Sequence, residues 1–94
     1  MQTSAQWIAQ AVSGRLVGDD VSITGPVVTD SREAQAGSLY VARRGESADG
    51  HAFVAGALER GAVAVIVEHE IDEAVAQIVV EDSTEALGAL AHAH

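Results

Sequence analysis

The apolar positions change period several times along the chain, and each change marks an element. Ala5, Ile8, Ala9 and Val12 recur at i, i+3, i+4 and i+7, the stripe of an amphipathic helix. Thr3 followed by Gln6 has the form of a capping box ahead of that helix, and Gly14 is the expected stop behind it. Short β-type runs follow at Arg15 to Gly18 and at Val21 to Ile23, and Gly25-Pro26 then breaks the pattern. Val27, Val28 and Thr29 read as a strand that ends in the polar triplet Asp30-Ser31-Arg32. A turn at Ala36-Gly37 leads into Leu39-Tyr40-Val41-Ala42, a further strand.

Residues 43–50, RRGESADG, are polar and read as a loop. Asp49 is a good N-cap for a helix from Gly50 to Arg60 with Phe53, Val54, Ala57 and Leu58 on one face and Gly61 at its end. The run AVAVIV, residues 62–67, is apolar throughout, as a strand covered on both faces must be. Ile78 to Val80 repeats this more briefly, and Asp82 and Glu85 open a last helix carrying Ala86, Leu87, Leu90 and Ala91. The order strand, helix, strand, strand, helix predicts an α/β fold, a small mixed sheet packed with about three helices. Its expected core is Leu39, Val41, Phe53, Leu58, Val63, Val65, Ile66, Ile78 and Leu87. The helical pattern is still running at the terminal AHAH, without a stop signal. Residues 1–94 are therefore expected to be a single domain of a longer protein.

Composition narrows the functions. The chain has 94 residues, 48% of them hydrophobic, enough for a real core. Phe, Tyr and Trp occur once each, so that core is aliphatic. All five cations are Arg, against fourteen Asp plus Glu, for a net charge of −9. A chain so acidic is a poor partner for nucleic acid or for an anionic membrane surface. There is no Cys, which excludes a disulfide framework, a thiolate zinc site and a Cys nucleophile. The first residues have neither a basic region nor an apolar leader, and no apolar run is long enough to span a bilayer, so a cytoplasmic location is expected.

Without Lys there is no P-loop, and no GxGxxG, GxSxG or HExxH motif is present. His51, His69, His92 and His94 are dispersed and read as solvated surface residues, so no metal site is expected. Glu68, Glu70, Asp72 and Glu73 read as a solvated acidic connection rather than an acid–base pair. No catalytic residue is expected. What remains is the strand-end segment Thr29 to Arg32 and the loop GESADGH, Gly45 to His51, preceded by Arg43 and Arg44. Strand ends and helix N-termini are where α/β proteins receive anionic ligands.

Taken in order, Asp30-Ser31-Arg32, Gly37, Leu39-Tyr40-Val41-Ala42, Gly45, Asp49-Gly50-His51 and Gly61-Ala62 carry a resemblance over residues 24–67. The chain resembles the N-terminal domain of the Mur ligases, which act on UDP-MurNAc-peptides. The flanking SGRLVGDD and IVVEDSTEALGALA look most like the branch that adds D-Ala-D-Ala to UDP-MurNAc-tripeptide; the branch that adds the third amino acid to the dipeptide comes next. Ala36, Ser38, Tyr40, Arg43 and Ala52 depart from the usual pattern.

The resemblance implies a cytoplasmic ATP-dependent amide ligase of peptidoglycan biosynthesis as the parent, with ATP and Mg bound by a central domain absent here. This domain would hold the UDP end of the substrate and no cofactor. By position, Thr29 and Ser31 would contact the uracil–ribose end, and Gly45, Glu46, Ser47 and Ala48 would line the nucleotide. Arg43 and Arg44 are candidate diphosphate contacts; Asp30, Arg32, Asp49 and His51 are expected structural braces. The competing expectation is a non-enzymatic acidic α/β module that docks a protein.

Overall fold

A strand with no polar residue needs cover on both faces, and the sheet is layered around that requirement. The computed structural model describes residues 2–44 and 49–93. Strand β6 (Ala64–Val67) is buried at every position. It lies between the parallel strands β5 (Leu39–Val41) and β7 (Ala76–Val79). A parallel edge strand, β4 (Val27–Val28), pairs with β5, and an antiparallel one, β2 (Arg15–Val17), pairs with β7. The five-stranded mixed sheet thus has the order β2-β7-β6-β5-β4. Strands β1 (Thr3–Ser4) and β3 (Ser22–Ile23) form a separate antiparallel pair.

Side chains alternate across the sheet as the period of two demands. Leu39, Val41, Ala64, Ile66, Ala76 and Ile78 face helices α1 (Ala5–Ala11) and α3 (Ser83–Ala93). Tyr40, Ala42, Val65 and Val67 face helix α2 (Val54–Glu59), through Val54 and Ala57. The expected α/β architecture with a mixed sheet and three α-helices is what the chain adopts. Val63, Leu58 and Leu87 pack against these cores while only partly buried.

The helix ends differ from the sequence expectation in detail. The cap of α1 is Ser4, whose Oγ accepts the Trp7 N–H at 3.1 Å. The Gln6 N–H goes to Asp20 Oδ1 (2.9 Å) and the Ala5 N–H to the Val21 carbonyl (2.8 Å), so the turn before β3 supplies what a Thr3–Gln6 box was expected to supply. At the other end Ser13, not Gly14, takes the left-handed conformation (φ 57°). Ser13 N–H then bonds Gln10 O and Gly14 N–H bonds Ala9 O, the paired closure of a Schellman motif. Gly14 is needed for a different reason: a Cβ there would come within 2.8 Å of Ile78. The helix expected from Gly50 to Arg60 divides into a 3₁₀ turn, Gly50–Phe53, and α2.

Candidate functional site

Beyond β4 the backbone turns through Asp30. Its carboxylate caps the 3₁₀ turn Ser31–Glu33 by accepting the Arg32 N–H at 2.9 Å, and it grips the same residue's guanidinium at Nε (3.1 Å) and NH2 (2.8 Å). These Arg32 hydrogen bonds, side chain first and backbone second, lower the Asp30 pKa to about 2, and the Arg32 pKa is raised in return. Asp30 and Arg32 therefore brace each other, and Thr29 and Ser31 flank the brace at the end of the strand.

The segment after β5 is closed at its base by several independent bonds. Arg44 and Asp49 form an antiparallel bridge, and the Gly50 N–H donates to the Arg43 carbonyl at 2.7 Å. The Tyr40 hydroxyl donates to the Gly50 carbonyl at 2.8 Å, and burial raises its pKa. Only glycine fits at position 50, because a Cβ would lie 2.6 Å from the Arg43 nitrogen. Asp49 caps the following turn through the His51 N–H (3.0 Å) and also faces His51 Nδ1 (2.6 Å). These two bonds, the backbone one first, lower the Asp49 pKa. Gly45, Glu46, Ser47 and Ala48 lie outside the described residues.

These two strand ends enclose a cleft of about 760 Å³. Thr29, Asp30, Ser31 and Arg32 form one wall, and Arg43, Arg44 and Gly50 another. Tyr40 and Phe53 complete the lining. Three of the five arginines of a chain with net charge −9 thus converge on one hollow. Arg32 is held by Asp30, and Arg44 lies 3.2 Å from Glu68 Oε1. Among the described residues Arg43 makes no salt bridge. Such a hollow suits an anion carrying a flat, partly apolar group.

Some sequence expectations are corrected here. Phe53, expected in the core, is 48% exposed and lines the cleft. His51, read as a solvated surface residue, has a side chain only 6% exposed, and its Nε2 accepts the Glu68 N–H at 2.9 Å. Its ring also stacks on His69, centroids 4.6 Å apart. Glu68 is not a solvated acid either: its carboxylate accepts from Ser83 N–H (2.9 Å) and Oγ (3.2 Å) at the start of α3. Tyr40 and Phe53 were not among the sequence candidates, and Gly50 entered only as part of the loop Gly45 to His51. The one available signal for Tyr40 was a hydroxyl at a buried strand position, which must find a partner. Among the described residues no group of three or more His, Asp or Glu could hold a metal ion.

The cleft sits outside the carboxyl ends of parallel strands, the usual ligand position of such sheets, and comparison with known proteins gives it a family. The model of the Mur ligase family, catalytic domain, matches residues 25–94, and the chain belongs to that family. One relative, the UDP-N-acetylmuramoyl-L-alanyl-D-glutamate–2,6-diaminopimelate ligase of Parabacteroides distasonis, is 47% identical over 75 residues, 77% of this chain and 15% of that protein. Another, the UDP-N-acetylmuramoyl-tripeptide–D-alanyl-D-alanine ligase of Haemophilus influenzae, is 35% identical over 92 residues, 97% of this chain and 20% of that protein. Among solved structures, a crystal structure of MurF from Acinetobacter baumannii superposes with a TM-score of 0.86 at 38% identity, covering 96% of this chain and 20% of that one. The chain spans about a fifth or less of the length of these relatives.

Proposed function

We propose that this chain is the N-terminal domain of a peptidoglycan-precursor ligase and that its cleft receives the UDP end of a UDP-MurNAc-peptide. The observation that carries this reading is the convergence of the Thr29–Arg32 strand end with Arg43 and Arg44 on one hollow. Ser31 offers a hydroxyl to the nucleoside, the arginines offset the diphosphate, and the ring of Phe53 supplies a flat wall. Binding energy gathered here is remote from the reacting carboxylate and serves to orient the peptide for attack. Asp30, Arg32, Asp49 and His51 act as braces in this reading, and the nucleotide contacts assigned to Gly45, Glu46, Ser47 and Ala48 rest on the family resemblance alone.

The parent reaction is an ATP-dependent amide ligation. The residues present do not suit ATP with Mg, because the chain has no Lys for a phosphate loop. ATP, Mg and D-Ala-D-Ala would be bound by other domains of the parent. Near-complete coverage by the Acinetobacter MurF structure supports the branch that adds D-Ala-D-Ala. The higher identity to the diaminopimelate ligases, over a shorter stretch, supports the branch one step earlier as the alternative. A cytoplasmic location goes with either. Among the described residues no helix is long and apolar enough to cross a membrane.

An amide-detected NMR titration of the chain with UDP tests the site. Shifts are expected on residues 29–32, 43–44 and 49–53, with an affinity near millimolar, about −4 kcal/mol. Ser31→Ala and Arg43→Ala are each expected to weaken it. An equal response to inorganic phosphate, or shifts spread over residues 68–73, would replace this reading by an acidic protein-docking module.

A further inference from the structure

His51 makes more bonds than a helix-start residue requires. The cap at Asp49 needs only the His51 backbone N–H, which any residue provides. The ring adds two further bonds from an enclosed position, its side chain 6% exposed. Nε2 accepts the Glu68 N–H at 2.9 Å, so that nitrogen carries no proton, and the proton sits on Nδ1, where it is donated to Asp49 Oδ1 at 2.6 Å. The ring therefore joins the end of the polar loop after β5 to the first residue after β6, a partner 17 positions along the chain.

Arg44 closes the same ring of contacts from the opposite side. It is bridged to Asp49 through the backbone and paired with the Glu68 carboxylate at 3.2 Å. Glu68 is thus held by its N–H on His51 and by its carboxylate on Arg44, with Ser83 on the other carboxylate oxygen. Arg44 and His51, on either side of the loop, are both fixed to Glu68, while Gly50 is fixed to Arg43 and to Tyr40.

We propose that His51 is a positioning residue of the cleft. By locking Asp49 to Glu68 it sets where Arg43, Arg44 and Gly50 face a bound nucleoside diphosphate. This inference rests on the UDP reading above. It goes beyond that reading by assigning ligand affinity to a side chain that does not line the cleft.

The test uses His51→Ala, His51→Gln and His51→Asn in this chain, with UDP titration and amide hydrogen exchange measured together. In glutamine the side-chain oxygen falls where Nε2 stands, so the acceptor for Glu68 N–H is kept; in asparagine only the donor to Asp49 is kept. UDP affinity is expected to fall about tenfold in His51→Ala, to recover most of that loss in His51→Gln, and not to recover in His51→Asn. Glu68 and Gly50 amide exchange should speed up in the same order. A folded His51→Ala that binds UDP as well as the parent chain overturns the proposal, as does a glutamine variant no better than alanine. If His51→Ala does not fold, the Gln–Asn difference decides. If the unaltered chain does not bind UDP at all, the functional reading fails. The positioning claim then fails with it, even where Glu68 and Gly50 exchange faster without the ring.

Discussion

The connection leaving β5 and the connection leaving β6 begin side by side at the same end of the sheet, and both are polar. After β5 the chain reaches the next parallel strand through α2. After β6 it returns to β7 through residues 68–75 with no helix to satisfy its backbone. There the side chain of Gln77 substitutes: Oε1 accepts the Ile71 N–H at 2.9 Å, and Nε2 donates to the carbonyls of Ile71 (2.9 Å) and Glu73 (3.3 Å). Ile71 and Val75 pack onto the sheet, Glu68 caps α3, and Glu70 lies 3.5 Å from Arg15. The polar groups of this connection are thus largely consumed by the fold. The connection after β5 closes its own base with backbone bonds and brings two guanidiniums to the cleft, Arg44 shared with Glu68 and Arg43 without a salt bridge among the described residues. A strand end becomes a binding site when its charged groups are left over once the backbone has been satisfied.

Replacing Gln77 by Leu should give the largest effect and should fall on one side of this comparison only. The substitution leaves the Ile71 N–H and the Ile71 and Glu73 carbonyls without their partner, at about 1–3 kcal/mol for each group that stays buried. Urea denaturation should show that loss, while the UDP affinity of the folded fraction stays unchanged. A denaturation midpoint equal to that of the parent chain would mean the helix-free connection is held by its apolar contacts alone.

Acid should separate the two connections next. Asp30, lowered to about 2, and Asp49, also lowered, both cap turns on the cleft side. A lowered carboxylate contributes stability that is fully present above its unfolded pKa of about 3.9 and is lost as pH falls through the folded value. The Arg32 amide resonance should therefore titrate below about pH 4, with the Asp30 turn still partly formed near pH 2. The Ile71 N–H, held by the uncharged amide of Gln77, should keep its position over that range. Loss of the Asp30 turn at an ordinary carboxylate pH would show that Arg32 does not hold it.

What was legible in the sequence followed from periodicity. The run at 62–67 announced a strand with two covered faces, and Ala64 and Ile66 do face one core while Val65 and Val67 face the other. The stripe at Ala5, Ile8, Ala9 and Val12 announced α1, and all four are buried. The candidate walls Thr29–Arg32 and Arg43–Arg44 were legible as polar segments at strand ends. Bonds between distant segments were not. Nothing near Ser4 reveals that Asp20 will take the Gln6 N–H, and nothing near His51 reveals the Glu68 amide that donates to its Nε2. Glu68 read as a solvated acid, and nothing singled out Gln77, because their partners lie on other segments and carry no pattern.

Phe53 is the sharpest case of such a difference and gives the smallest expected change in stability. Its place in the core followed from assuming an α-helix from Gly50 onward, which puts residue 53 on the face of Val54, Ala57 and Leu58. Residues Gly50–Phe53 instead form a 3₁₀ turn, with about three residues per turn rather than 3.6. The tighter winding rotates the ring off the buried face, leaving it 48% exposed beside Arg43 and Arg44. A core Phe→Ala change costs about 3–5 kcal/mol. Phe53→Ala should shift stability by no more than about 0.5 kcal/mol. Its effect belongs to the ligand: stacking of a base on an aromatic ring is worth about 1–3 kcal/mol, so UDP should bind the variant several-fold more weakly. Pyrophosphate, which has no base to stack, should bind the variant and the parent alike. Equal weakening for both ligands would mean that the ring only supports the arginines, and a large loss of stability would return Phe53 to the core.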